Sequence, residues 1–221
     1  FIRQPKGYER RGPNGEEIVW KLKRSLYGLR QSPRNWNLVI DDWLVKYQLK
    51  RSSSDPCVYV KRSNGATLVV ALWVDDLIIA GSDKSAVEQF KKDIGQRFKM
   101  KDLGALKWIL GVEIRRDRAK RMLELSQETY IGQVLDRFGM SNCKGVVTPI
   151  DSAAVYSDSG GGQPNGEYMS IVGSQMYASI MTRPDITYAV QVRSRYLQST
   201  GSADLAAAKR VLRYLQGTRE L

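Results

Sequence analysis

Residues 68–80 form a run of Leu, Val, Ala, Trp and Ile broken only by Asp75 and Asp76. Apolar residues on both sides call for burial in a sheet. Two adjacent carboxylates oppose it, because an unpartnered buried ion costs several kcal/mol and neighbouring acids repel one another. The conflict is resolved if the chain reverses at Asp75-Asp76. Residues 67–74 and 77–80 then become neighbouring strands, and the acids sit at an exposed edge. A divalent cation held through oxygen would relieve the repulsion there. Plain turn aspartates satisfy the same pattern, and the residues alone leave both readings open.

Composition narrows the chemistry. The 221 residues suffice for one large domain or two small ones. Thirty-five Lys and Arg against 23 Asp and Glu give a net charge of +12, which favours a polyanionic partner, nucleic acid first. The chain has no histidine, so Ser-His-Asp triads, Cys-His nucleophiles and His-containing zinc sites cannot form within it. Carboxylates with a hard metal ion remain. Cys57 and Cys143 read as lone thiols suited to a reducing compartment. No apolar stretch approaches the roughly 20 residues of a membrane span, nothing resembles a signal peptide, and no membrane partner is expected. The chain opens on Phe1 rather than Met and reads as a segment of a longer protein.

The pattern along the chain predicts an α+β region followed by helices. Residues 17–23 alternate apolar and polar as a half-buried strand does. Ser32 and Pro33 have the form of a helix cap and first position, and Trp36, Ile40, Trp43, Leu44 and Tyr47 follow at helical spacing. Residues 57–61 and 67–74 read as a hairpin about Ser63-Asn64-Gly65. Ser85 and Glu88 form a capping box before a helix striped by Val87, Phe90, Ile94 and Phe98. Strands are expected over 108–116 and 121–125, and a helix over 127–138 that ends at Gly139. Residues 151–167, rich in Gly, Ser, Asp, Pro and Asn, are expected to be a flexible linker. Helices follow over 168–181, 184–198 and 203–216, the last with Leu205, Ala208, Leu212 and Leu215 inward.

Several segments are similar to copia-type retrotransposon reverse transcriptases. Trp73-Val74-Asp75-Asp76 resembles the family's Tyr-Val-Asp-Asp box, and the sequence through Gly81 keeps to the copia-type form. Leu26-Tyr27-Gly28-Leu29-Arg30-Gln31-Ser32-Pro33-Arg34-Asn35-Trp36 resembles the Leu-Tyr-Gly-Leu-Lys-Gln-x-Pro-Arg-x-Trp block. Lys101-Asp102-Leu103-Gly104 and Leu110-Gly111-Val112-Glu113-Ile114 match further blocks, as do 182–186 and 212–218. They stand in family order over essentially the whole chain.

The resemblance implies a palm-type antiparallel sheet with packed helices over 1–150, as in a right-hand polymerase with incomplete fingers. A helical thumb or connection segment over 168–221 would follow the linker. It implies an RNA-directed DNA polymerase using two Mg²⁺ ions, with Mn²⁺ as an alternative. Asp75 would be the direct ligand and Asp76 would support or share that role. Tyr27, Gly28, Arg30, Gln31, Pro33 and Arg34 would line the nucleotide pocket, Trp73 would lie near primer or template, and Leu110 with Gly111 would grip the primer end. The implied partners are an RNA template, a DNA primer or product, dNTPs and the remainder of the Pol polyprotein. The implied location is a cytoplasmic virus-like particle, with the nucleus as a second site. Two departures stand out. The family takes another catalytic aspartate from a strand just before the block resembled by residues 1–8, so the isolated chain is expected to be inactive. Trp73 also replaces the usual tyrosine. Rival readings are a degenerate relic that only binds nucleic acid and an unrelated metal-dependent phosphoryl-transfer enzyme.

Overall fold

A computed structural model describes residues 1–63, 65–151 and 163–221. The chain divides into two compact units, Phe1–Leu103 and Gly104–Leu221. Both mix helices with antiparallel sheet, in keeping with the α+β expectation.

The first unit begins with little regular structure. Of the strand expected over 17–23, only Val19–Trp20 (β2) forms, paired with Ile2–Arg3 (β1). Side-chain hydrogen bonds replace most of the ladder: the Gln4 amide donates to the Arg10 and Ile18 carbonyls and accepts from the Arg10 N–H. Helix α1, Ser32–Lys46, follows. Ser32 is not its cap. Its hydroxyl is already used, donating to the Leu26 carbonyl at 2.6 Å, and Gln31 takes the cap position without a side-chain bond.

Strands β3 (Lys50–Arg51), β4 (Val58–Ser63), β5 (Ala66–Trp73) and β6 (Asp76–Gly81) form one antiparallel sheet in that order. Alternate residues of β5, Leu68, Val70 and Leu72, are buried on a single face. They share a core with Ile40 and Leu44 of α1 and with Phe90 and Ile94 of α2, Lys84–Arg97. The period of two in the strands and the 3.6-residue spacing in the helices therefore converge on one apolar layer. The Ser85–Glu88 capping box does not form. Asp83 caps α2, accepting from the Ser85 and Ala86 N–H groups, and Glu88 pairs with Lys91 instead. The Ser85 hydroxyl and those two N–H groups hold the Asp83 carboxyl below its usual range.

The second unit opens with strands β7 (Trp108–Ile109), β8 (Val112–Asp117) and β9 (Met122–Ser126). The strand expected over 108–116 is thus a hairpin in itself, reversed at Leu110-Gly111. Helices α3 (Glu128–Arg137), α4 (Gly166–Met181), α5 (Thr187–Ser194) and α6 (Ser202–Gly217) complete the unit, with a 3₁₀ turn at Pro184–Ile186 before α5. Ile131, Val134 and Leu135 of α3 share one core with Tyr168, Ile171 and Val172 of α4 and with Val211, Leu212 and Leu215 of α6. The chain divides into its compact units at Leu103/Gly104 and not at 150, with α3 burying its apolar stripe against the later helices. Of the expected linker, 152–162 lies outside the described residues, and α4 begins within its last part, with the Asn165 side chain capping through the Tyr168 N–H. No described helix is long and apolar enough to cross a membrane.

One buried cation joins the two closing motifs. Arg183, 1% exposed, donates from Nε and Nη2 to the Asp185 carboxylate at 3.0 and 2.7 Å. It also donates to the carbonyl and hydroxyl of Thr218, and its guanidinium lies over the Tyr214 ring. Burial pushes the Asp185 carboxyl up, but hydrogen bonds from Arg183 and the Tyr214 hydroxyl outweigh it and hold the group below its usual value. Arg183→Ala is expected to lower the stability of this unit by roughly 3 kcal/mol, because it strips a buried network of its centre. Arg183→Lys should recover less than half, lacking the planar fork. Asp185 has a depressed folded value, so its contribution is present above the unfolded value of about 3.9 and is lost as pH falls through the lower folded value. Urea denaturation at pH 7 and at pH 3 checks both expectations.

Candidate metal centre

The β5–β6 hairpin is built as the apolar run requires. Trp73 pairs with Asp76 across it, leaving Val74 and Asp75 as a two-residue turn. Of those two, Val74 alone has a left-handed backbone, with φ of 54°, the pattern of a type II′ connection, whose first position favours glycine. A β-branched residue there is strained. The rigid sheet below the turn, with Leu72 and Val70 in the core, holds the reversal in place.

Asp75 and Asp76 are both exposed, and neither carboxylate makes a hydrogen bond or ion pair with a described residue. Bare carboxylate oxygens on a fixed turn suit a hard divalent cation such as Mg²⁺. Among the described residues, no group of three or more His, Cys, Asp or Glu could hold a metal ion. The donor set therefore fits one side of such an ion and does not close around it.

The block expected to line a nucleotide pocket is an ordered loop leading into α1. Backbone bonds from Leu29 to Leu26 and from Ser32 to Leu29 shape it, and Asn35 ties it to Ser25. Gly28 has φ of 90° with open space where a side chain would stand, so backbone conformation, not a close neighbour, requires glycine. Tyr27 is 90% exposed. Arg30, Gln31, Pro33 and Arg34 are exposed, and the two arginines make no ion pair with described residues. The first turn of α1 carries no acid, so positive charge accumulates at the positive end of the helix dipole, a place for an anion.

The structure brings this block and the aspartate turn together through Trp36, which both ends the block and lies on the α1 stripe. The Trp36 indole N–H donates to the Val74 carbonyl at 2.5 Å. The available signal was chemical: a tryptophan near a core needs an acceptor for its N–H. Trp73 is 56% exposed beside the acids. Leu110 and Gly111, in the second unit, form the two-residue turn between Ile109 and Val112, with φ of 50° and 77°. The Tyr177 hydroxyl donates to the Leu110 carbonyl.

Residues 1–152 match the family model described as reverse transcriptase (RNA-dependent DNA polymerase). The chain is 43% identical over 227 residues to the retrovirus-related Pol polyprotein from transposon TNT 1-94 of Nicotiana tabacum, covering 99% of this chain and 17% of that protein. It is 36% identical over 222 residues to the corresponding polyprotein from transposon RE1 of Arabidopsis thaliana, covering 99% and 15%. A putative transposon Ty5-1 protein of Saccharomyces cerevisiae is 30% identical over 227 residues, covering 100% of this chain and 71% of that protein. The chain thus spans about a sixth of the two plant polyproteins. No solved structure matches it.

The Leu110-Gly111 turn generates its own expectation. Both residues are left-handed, the geometry in which Asn-Gly is favoured. Leu110→Asn should stabilise the second unit by up to about 1 kcal/mol. Gly111→Ala should cost about 1–2 kcal/mol, with the added methyl 3.4 Å from the Tyr177 hydroxyl. Urea midpoints of the two variants should move in opposite directions.

Proposed function

The chain belongs to the reverse transcriptase family of copia-type retrotransposons, and we propose that it supplies the metal-binding hairpin of an RNA-directed DNA polymerase within a longer Pol protein. One observation carries the reading: two adjacent, unpaired carboxylates stand on a fixed, strained turn at the end of a hairpin whose strand β5 is buried on one face. In this reading the β3–β6 sheet with α1 and α2 belongs to the palm, and the helices over 168–221 are the thumb or connection.

Asp75 is the direct metal ligand, and Asp76 supports or shares that role. When bound, two Mg²⁺ ions, or Mn²⁺ in their place, acidify the primer 3′-hydroxyl and hold the incoming triphosphate. Tyr27, Gly28 and Gln31 border the dNTP, Pro33 fixes the helix start, and Arg30 and Arg34 meet phosphate. Trp73 offers an exposed indole face on which a primer or template base can stack. The Leu110-Gly111 turn contacts the primer end. The excess of 35 basic over 23 acidic residues serves the phosphate backbones of RNA template and DNA product.

Two measurements test this. Residues 1–221 should bind RNA and DNA without sequence preference, the logarithm of affinity falling with the logarithm of salt by roughly 0.7–0.9 per phosphate neutralised. Equal affinity at low and high salt contradicts it. Two carboxylates cannot close a two-metal site, so residues 1–221 alone should not extend a primer. In a longer Pol chain that does, Asp75→Asn should reduce extension on the order of a thousandfold, having kept the shape but removed a charge worth several kcal/mol in the transition state.

A further inference from the structure

The β5–β6 turn is held from outside its own strands. Val74 has φ of 54° at a position that glycine occupies at no steric cost. Its carbonyl accepts the Trp36 indole N–H at 2.5 Å, across 38 positions of sequence. Trp36 is itself anchored. Its ring packs edge to face on Phe98, centroids 5.4 Å apart at 81°, and Phe98 packs in the same manner on Trp43. The indole is thus fixed by the aromatic layer between α1 and the end of α2, and its one polar atom is spent on the turn.

We propose that Trp36 is a positioning residue for the aspartate turn, holding the Val74 peptide in its left-handed conformation so that the peptide leading into Asp75 keeps one orientation. The chemistry requires tryptophan. Phenylalanine or leucine would pack against Phe98 but has no N–H, and the carbonyl would lose its charge-free but directional tether. Trp36 also closes the block that includes Arg30, Gln31, Pro33 and Arg34, three positions after Pro33. The same bond therefore sets the start of α1 against the acids. The functional consequence, a fixed spacing between phosphate-facing arginines and metal-facing carboxylates, rests on the polymerase reading above. The mechanical claim does not.

The test uses residues 1–221 with Trp36→Phe, Val74→Gly and the double substitution, followed by amide hydrogen exchange and the Trp36 indole N–H resonance. In the unsubstituted chain the Trp36 indole proton should exchange more slowly than that of exposed Trp73. Trp36→Phe should speed exchange at residues 74–77 by roughly threefold to tenfold, the equivalent of one lost hydrogen bond, and leave the centre of β5 at Val70 unchanged. Val74→Gly added to Trp36→Phe should bring the turn back to within about twofold of the original rate, because glycine adopts the conformation without a tether. Uniformly faster exchange across the unit would show that Trp36 only fills the core, and the proposal fails. Unchanged exchange at the turn, or no rescue by glycine, also overturns it. None of these readouts involves a metal ion. They judge Trp36 independently of Asp75→Asn, which judges the metal reading.

Discussion

Two carboxylates placed side by side between apolar strands organise the first unit. Leu68, Val70 and Leu72 must be buried, and the charges of Asp75 and Asp76 must not be. A tight reversal satisfies both demands and fixes the register of β5 on β6 from Trp73 with Asp76 back to Leu68 with Gly81. Once that register is set, the inward face of β5 is determined, since a slip of one residue would turn every side chain over. The helices α1 and α2 then close on the face that carries Tyr59, Val70 and Leu72. The acids are left at the rim with no protein partner among the described residues.

Much of this was legible in the sequence because it follows from periodicity. The alternation of β5, the spacing of Ile40 and Leu44 and the stripe of Phe90 and Ile94 each specify one face. What was not legible depends on contacts distant in sequence or on competition for one hydrogen bond. Ser32 has the form of a cap, but its hydroxyl is taken by the Leu26 carbonyl; α2 is capped by Asp83, two positions beyond the end of β6. Composition marks 151–167, while packing of Ile131, Val134 and Leu135 joins α3 to the later helices, a contact that composition does not carry. In the candidate site, Asp75 and Asp76 stood out as acids in an apolar run. Trp36 ends a resembled block and fits the helical spacing of α1, but neither pattern shows that its N–H is spent on the turn.

Strain recurs where the resemblance places function. Val74 and Leu110, both aliphatic, take left-handed conformations in the two-residue turns assigned here to metal and primer. Each carbonyl is tethered by a side chain from another element, Trp36 in one case and Tyr177 in the other. Backbone strain persists only where the surroundings over-determine it. Small exposed turns gain a fixed shape in this way without being buried. Arg183 shows a different solution in the second unit, where a buried guanidinium ties Asp185 to Thr218 and aligns the last helix with the 3₁₀ turn.

The central claim is that Asp75 and Asp76 form one side of a divalent-metal site. Paramagnetic broadening of backbone amide resonances by Mn²⁺, titrated into residues 1–221, tests it most directly. The account requires broadening centred on Val74, Asp75, Asp76 and Leu77 that disappears in Asp75→Asn and is competed by Mg²⁺. Broadening centred instead on the acids around Arg115, namely Glu113, Glu124 and Glu128, or none at the hairpin, would contradict it.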